Sequence, residues 1–164
     1  MRYATIPSPI GTLMLVGDET ALKQIRFGAE AETVPADWIR DDEALREARR
    51  QLEEYFRGER TEFDLPLAPE GTEFQKRVWQ ALLAVEYGTS ACYQEIARAI
   101  GNPTGARAVG LANSRNPLPI VIPCHRIIGK SGTLVGYAGG LEIKKFLLAH
   151  EGIGSRERTL EFAN

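Results

Sequence analysis

A sulfur and an imidazole stand side by side at one point of this 164-residue chain, in Pro123-Cys124-His125-Arg126, directly after the β-branched run Ile120-Val121-Ile122. A free thiol has a pKa of about 8.5 and attacks only as thiolate, so a useful cysteine needs cationic or hydrogen-bonding neighbours. His125 and Arg126 are such neighbours. The apolar run predicts a buried strand that delivers Cys124 abruptly to a turn, and the chemistry this offers is nucleophilic. At this level a buried structural cysteine is an alternative. A thiol hydrolase is another, although hydrolase partners normally come from distant segments rather than the adjacent residue. Cys92 is the second cysteine, and two thiols make no disulfide framework. Together with His125 and His150 they amount to four potential zinc ligands, but no C-x-x-C or H-x-x-H spacing joins them, so no metal is expected.

What must hold such a site is one ordinary domain or two small ones. With 43% apolar and 8% aromatic residues, the composition is that of a soluble globular chain and excludes a disordered one. No stretch approaches the roughly 20 apolar residues of a membrane helix, and Met1 to Gly11 holds no apolar run, so a cytoplasmic protein with no membrane partner is expected. The net charge of -2 hides an asymmetry. Residues 1–71 carry nine basic and fifteen acidic side chains, residues 72–164 eleven and seven. Only the second part has the sign that phosphates attract; ordinary unevenness of surface charge is the alternative.

Period-2 patterning predicts strands at Tyr3 to Ile6, Thr12 to Val16 and Ala21 to Phe27, turning at Pro9-Ile10-Gly11 and Gly17-Asp18. A helix capped by Asp41 or Asp42 follows, with Leu45, Ala48, Leu52, Tyr55 and Phe56 on one face and Gly58 as its stop. Pro69-Glu70-Gly71 marks a boundary that gives domains at 1–71 and 72–164. Thr72 and Gln75 have capping-box spacing ahead of a helix from Glu73 to Val85, whose stripe is Phe74, Val78, Ala81, Leu82 and Val85. Helices from Tyr93 to Ile100 and from about Thr104 to Asn113, parted by Gly101-Asn102-Pro103, form a helix-turn-helix layout. Gly105, Ala106, Ala108, Gly110 and Ala112 leave the second of them nearly bare, suited to close approach against another surface. Gly136 to Gly140 reads as a loop. Leu141 to Ala149 reads as a helix with Leu141, Leu147 and Leu148 inward and Gly152 as terminator.

Asn116-Pro117-Leu118-Pro119-Ile120-Val121-Ile122-Pro123-Cys124-His125-Arg126 resembles the active-site signature of the O6-alkylguanine-DNA alkyltransferases, also called methylated-DNA-protein cysteine methyltransferases. Tyr93 to Ala97, Gly105 to Gly110, Gly136 to Gly140 and Leu147 to Gly152 are similar to the family's other blocks, in order and at family spacing. Residues 72–152 carry the resemblance strongly. The Ser8-Pro9-Ile10-Gly11 start and its meander carry it more weakly.

The resemblance implies an α+β fold: a small N-terminal antiparallel sheet with a helix, ribonuclease H-like, then a mainly helical part with a winged-helix-like helix-turn-helix. It implies direct-reversal repair in which O6-alkylguanine, and also O4-alkylthymine, is flipped out of double-stranded DNA and gives its alkyl group irreversibly to Cys124. No cofactor is implied, and the protein is expected to be a monomer without DNA. By the same resemblance His125 takes the thiol proton through a bound water and Glu151 orients the imidazole. Tyr93 donates toward guanine N3 and the Ala138 N–H toward O6, Tyr137 walls the pocket, and the carbonyls of Cys124 and Ile127 accept from the guanine amino group. Asn116 braces the active-site turn. Arg107 enters the duplex to fill the vacated space, and Ala106 and Gly110 lie along the minor-groove helix. Arg115 and Lys76 or Arg77 are candidate phosphate contacts, with an unpaired surface role as the alternative. Cys92 departs from the family pattern, which more often has serine there, and a thiol is a poor substitute cap.

Overall fold

The computed structural model describes residues 1–28, 33–129, 137 and 139–153. The chain divides into two compact units, Met1–Glu70 and Gly71–Asn164. In the first, β1 (Arg2–Ile6), β2 (Leu13–Gly17) and β3 (Leu22–Phe27) form the antiparallel meander, and the short β4 (Ile39–Arg40) adds parallel to β1, giving the order β3-β2-β1-β4. Every residue of the central strand β2 is buried. Met14 and Val16 lie under Tyr3, Val34 and Trp38. β4 escaped the sequence reading because a two-residue exposed strand has no period to detect.

Helix α1 (Arg46–Phe56) buries Ala48, Leu52 and Tyr55, while Phe56 is only half-buried. Its expected cap is displaced. Asp41 Oδ1 accepts from Ala44 N at 2.9 Å and so caps the turn that precedes the helix, whose own N-cap, Leu45, makes no side-chain bond. Gly58 ends the helix at φ +77°, where its N–H reaches Tyr55 O and Glu59 N reaches Glu54 O, a closure that glycine adopts without strain. Gln51 faces inward and brackets the Asp64 backbone, donating to its carbonyl at 3.0 Å and accepting from its N–H at 2.8 Å.

In the second unit α2 (Glu73–Leu82) opens on the predicted box: Gln75 N donates to Thr72 Oγ1 at 3.1 Å and Thr72 N to Gln75 Oε1 at 2.9 Å. The helix stops at Leu82 instead of Val85 because its last turn tightens, with Ala84 N on Ala81 O and Val85 N on Leu82 O. Trp79, absent from the predicted stripe, is buried and donates Nε1 to Ala112 O at 2.9 Å. Helices α3 (Tyr93–Ala99) and α4 (Ala106–Ser114) pack on one another and on α2. α4 starts two residues later than expected because Gly105 N bonds Asn102 O in the connecting turn.

Two further differences concern the site. Ile120 to Ile122 is buried, but it is a turn and not a strand: Ile122 N bonds Leu118 O at 2.8 Å and Ile120 has φ +76°. Pro119 and Pro123 flank the run, and neither has an N–H to give a ladder. The strand here is β6 (Ile127–Ile128), which lies beyond Cys124 and pairs parallel with β5 (Ala91–Cys92). In α5 (Leu141–His150) Leu147 and Leu148 are inward as expected, whereas Leu141 is 43% exposed and Lys144 takes the buried position. Gly152 terminates the helix at φ +71°. The loop expected at 136–140 lies partly outside the described residues.

At the start of α3, Glu95 Oε1 accepts from Cys92 N at 3.0 Å, so the backbone half of a capping box is in place. Serine at 92 would complete it with a stronger acceptor. Cys92→Ser is expected to raise stability by roughly 0.5–1 kcal/mol and to leave alkyl-transfer activity unchanged. Thermal melts and single-turnover assays check this, and a lower melting temperature or lost activity would count against it.

Candidate active site around Cys124

Cys124 opens a single 3-10 turn, Cys124–Arg126, that joins the Pro-rich turn to β6. It is 4% exposed. Asn116 holds the approach to it: Nδ2 donates to Ile122 O at 2.7 Å and Oδ1 accepts from Leu118 N at 2.9 Å. Burial pushes the thiol pKa up. Hydrogen bonds from Asn116 and Tyr137 and the positive charge of Lys144 act the other way.

His125 is fully buried. Its Nε2 lies 2.7 Å from Glu151 Oε2, and Nδ1 has no hydrogen-bond partner among the described residues. Burial drives the imidazole toward its neutral form, more strongly than Glu151 restores its charge. Glu151, the C-cap of α5, also takes Arg126 Nε on Oε1 at 2.7 Å and Nη2 on Oε2 at 3.2 Å. Burial alone would raise its pKa, but hydrogen bonds from His125 and Arg126 and their charges hold it at about 2. The carboxylate is therefore ionised and accepts only, which fixes the imidazole proton on Nε2 and leaves Nδ1 with a lone pair. Arg126 is itself held by Val85 O at 2.6 Å and lies over the Tyr87 ring.

Tyr93, the first residue of α3, is half-buried, and its hydroxyl pKa is raised by burial and then by the nearby Cys124 sulfur. A Cβ at Gly110 would lie in ordinary contact with the Tyr93 ring, at 3.7 Å, so α4 faces this tyrosine closely at that position. Lys144, fully buried, donates Nζ to Ile127 O at 2.6 Å, and burial lowers its pKa to about 8. The Ile127 carbonyl thus already accepts one bond. That of Cys124 accepts from Ile127 N and, at 3.5 Å, from Asn113 Nδ2.

Of the residues singled out in the sequence, Cys124, His125, Glu151, Asn116, Tyr93 and Tyr137 converge, with Ile127 buried beside them. Arg107 and Arg115 do not belong to this cluster. They are exposed at the two ends of α4, on a face that also carries Ala108, Ser114 and the 57% exposed Leu111, while Ala106 and Gly110 are half-buried. Ala138 lies outside the described residues. Sequence reasoning missed the clamp of Arg126 on Glu151, the buried Lys144 and Asn113. A faint signal existed for one of them, since Lys144, Leu147, Leu148 and Glu151 share one helical face. Among the described residues no group of three or more His, Cys, Asp or Glu side chains is arranged to hold a metal ion, and no helix is long and apolar enough to cross a membrane.

Two family models match this chain. Residues 1–69 match the ribonuclease-like domain of 6-O-methylguanine DNA methyltransferase, and residues 73–153 match its DNA-binding domain. A methylated-DNA–protein-cysteine methyltransferase of Methanosarcina acetivorans is 56% identical over 154 residues, 93% of this chain and 99% of that protein. The constitutive enzyme of that name from Bacillus subtilis is 46% identical over 162 residues, 95% of this chain and 98% of its own. The crystal structure of Mycobacterium tuberculosis OGT in complex with DNA superposes with a TM-score of 0.87 at 49% identity, covering 93% of each chain. Matched along nearly its whole length by family models, relatives and a solved structure, the chain belongs to the 6-O-methylguanine DNA methyltransferase family.

Proposed function

We propose that this protein repairs O6-alkylguanine in double-stranded DNA by moving the alkyl group onto Cys124 in one irreversible step, with O4-alkylthymine as a second substrate. The observation that carries this reading is a buried thiol next to a neutral imidazole whose far nitrogen is locked to an ionised carboxylate. In-line attack forms the S–C bond as the C–O6 bond breaks, and guanine departs. The electron pair comes from sulfur, so the displacement needs no cofactor. The product thioether offers no leaving path for the alkyl group, and each molecule acts once.

The thiol proton passes through a bound water to His125 Nδ1, and Glu151 pairs with the imidazolium, a triad with one water inserted. Tyr93 donates toward N3 of the departing base and the Ala138 N–H toward O6, which spreads the developing negative charge. Tyr137 walls the base, the carbonyls of Cys124 and Ile127 accept from its amino group, and Asn116 braces the turn. The base reaches this site by leaving the stack while Arg107 fills its place. Ala106 and Gly110 keep α4 slim enough for the minor groove, and Arg115 meets a phosphate. Residues 72–164 form the DNA-binding and acceptor domain, residues 1–71 the scaffold. The protein acts as a monomer before it meets DNA, in the cytoplasm, whose reducing conditions keep Cys124 a thiol.

Mass spectrometry after one equivalent of duplex carrying a single O6-methylguanine tests the reading. The expected result is one methyl group retained on the Cys124 peptide; a free thiol with released product would favour a hydrolase. Arg107→Ala tests base extrusion. Extruding a base costs a few kcal/mol and the inserted guanidinium offsets part of it, so transfer from duplex is expected to slow about 10–100-fold. Transfer from the free modified base should stay near the wild-type rate, and equal losses on both substrates would contradict the assignment.

A further inference from the structure

The water-mediated relay proposed above requires that the water present its oxygen, not a hydrogen, to the sulfur. We propose that Asn113 is a positioning residue that shares this water with His125 and fixes its orientation. Asn113 lies on α4 and is 3% exposed. Its Nδ2 faces the Cys124 carbonyl at 3.5 Å. A carbonyl oxygen can only accept, so it selects the NH2 end of the amide and turns Oδ1 to the other side. Oδ1 is buried and has no hydrogen-bond partner among the described residues, as is also true of His125 Nδ1. The two atoms belong to side chains anchored on one peptide group: Asn113 bonds the carbonyl of Cys124, and His125 supplies that peptide's nitrogen.

Both atoms are acceptors, Oδ1 by its chemistry and Nδ1 because Glu151 holds the imidazole proton on Nε2. A buried polar atom left unpaired costs about 1–3 kcal/mol, and a buried water making about three hydrogen bonds is the usual remedy. A water between two acceptors donates one hydrogen to each. Its oxygen is then the only part left for the thiol, and it accepts from Cys124 S–H. As the S–H bond breaks, a bond forms to the water oxygen, and the O–H bond aimed at His125 breaks as Nδ1–H forms. The balance is one thiolate, one imidazolium paired with Glu151, and the water restored. The water hydrogen bonded to Asn113 Oδ1 stays on the water, so the proton has a single route between the sulfur and His125 Nδ1.

This inference rests on the relay reading, and its test separates the two. Asn113→Leu removes the acceptor and leaves the other titratable and charged groups of the site, Glu151, Arg126, Lys144, Tyr93 and Tyr137, in place. The thiolate titration of Cys124, followed by ultraviolet absorbance, is expected to shift upward by about one pH unit. The single-turnover rate on saturating methylated duplex at neutral pH is expected to fall about tenfold with DNA affinity unchanged. Asn113→Ala, which leaves room for a second water to act as acceptor, is expected to fold and to shift the titration less than leucine does. Unmoved titrations in both variants would overturn the role of Asn113 if His125→Gln still raises the thiol pKa. If His125→Gln also leaves the titration unmoved, the relay itself is overturned, and the inference with it.

Discussion

Replacing Cys124 with serine is expected to abolish alkyl transfer while leaving the fold intact. The two side chains differ by one atom, and the site is buried and hydrogen-bonded by Asn116 and Tyr137, groups that serve an oxygen as well as a sulfur. With those partners retained, burying the hydroxyl in place of the thiol costs at most about 1–3 kcal/mol, less than the stability of a typical domain. The chemistry is not isosteric. A serine hydroxyl has no thiolate-like state within reach of a neutral imidazole, and it attacks a saturated carbon poorly. Removing an enzymatic nucleophile costs on the order of a millionfold in the best-measured case, so a loss of at least about a thousandfold is expected here. Single-turnover assays on a methylated oligonucleotide, with intact-protein mass spectrometry, measure it. A serine variant that still takes up the methyl group at the wild-type rate would sink the assignment, as would an adduct that maps to Cys92.

Legibility of the sequence followed the range of the interaction. Local features came through: the Thr72–Gln75 box, the three long strands of the meander and the glycine stops at Gly58 and Gly152 all lie where spacing puts them. Apolar periodicity failed where a polar group is buried. Lys144 replaced Leu141 on the inner face of α5 because its ammonium reaches the Ile127 carbonyl, 17 residues earlier in the chain. Arg126 looked like a neighbour to the sulfur and is in fact the clamp on Glu151, 25 residues away. Neither partner shows in a window of a few turns. Ile120 to Ile122 misled for the opposite reason. Its β-branched composition signals a strand, but prolines at 119 and 123 deny it a ladder, and the buried turn that results is what brings the chain round to Cys124. The convergence of Cys124, His125 and Glu151 was legible only through the family motif, since nothing in spacing alone brings residue 151 to residue 125.

Glu151→Gln is the substitution expected to damage both stability and chemistry. The carboxylate accepts three hydrogen bonds with its side chain fully enclosed, one from His125 and two from Arg126. An amide has one oxygen, so it cannot accept on both sides, and its NH2 meets a donor. Arg126 is then a buried cation without its counter-charge, a break that typically costs about 3–5 kcal/mol. The loss depends on pH. Glu151 titrates at about 2 in the folded protein against an ordinary 4.5. Because the folded value is the lower one, the ion pair contributes fully above pH 4.5, and its contribution disappears as the pH falls from there through 2. A shift of this size corresponds to about 3 kcal/mol. Denaturant unfolding should show wild type well above the variant at neutral pH and the two converging in acid. For the chemistry, an amide NH2 that donates to His125 Nε2 forces the imidazole proton onto Nδ1, where the relay needs a lone pair. The wrong tautomer costs about 10⁴-fold in the serine proteases, and a loss of about 10²–10⁴ in transfer rate is expected here. A variant whose stability gap does not narrow in acid would show that Glu151 is not the group that titrates. A variant that transfers at the wild-type rate would show that His125 needs no orienting carboxylate.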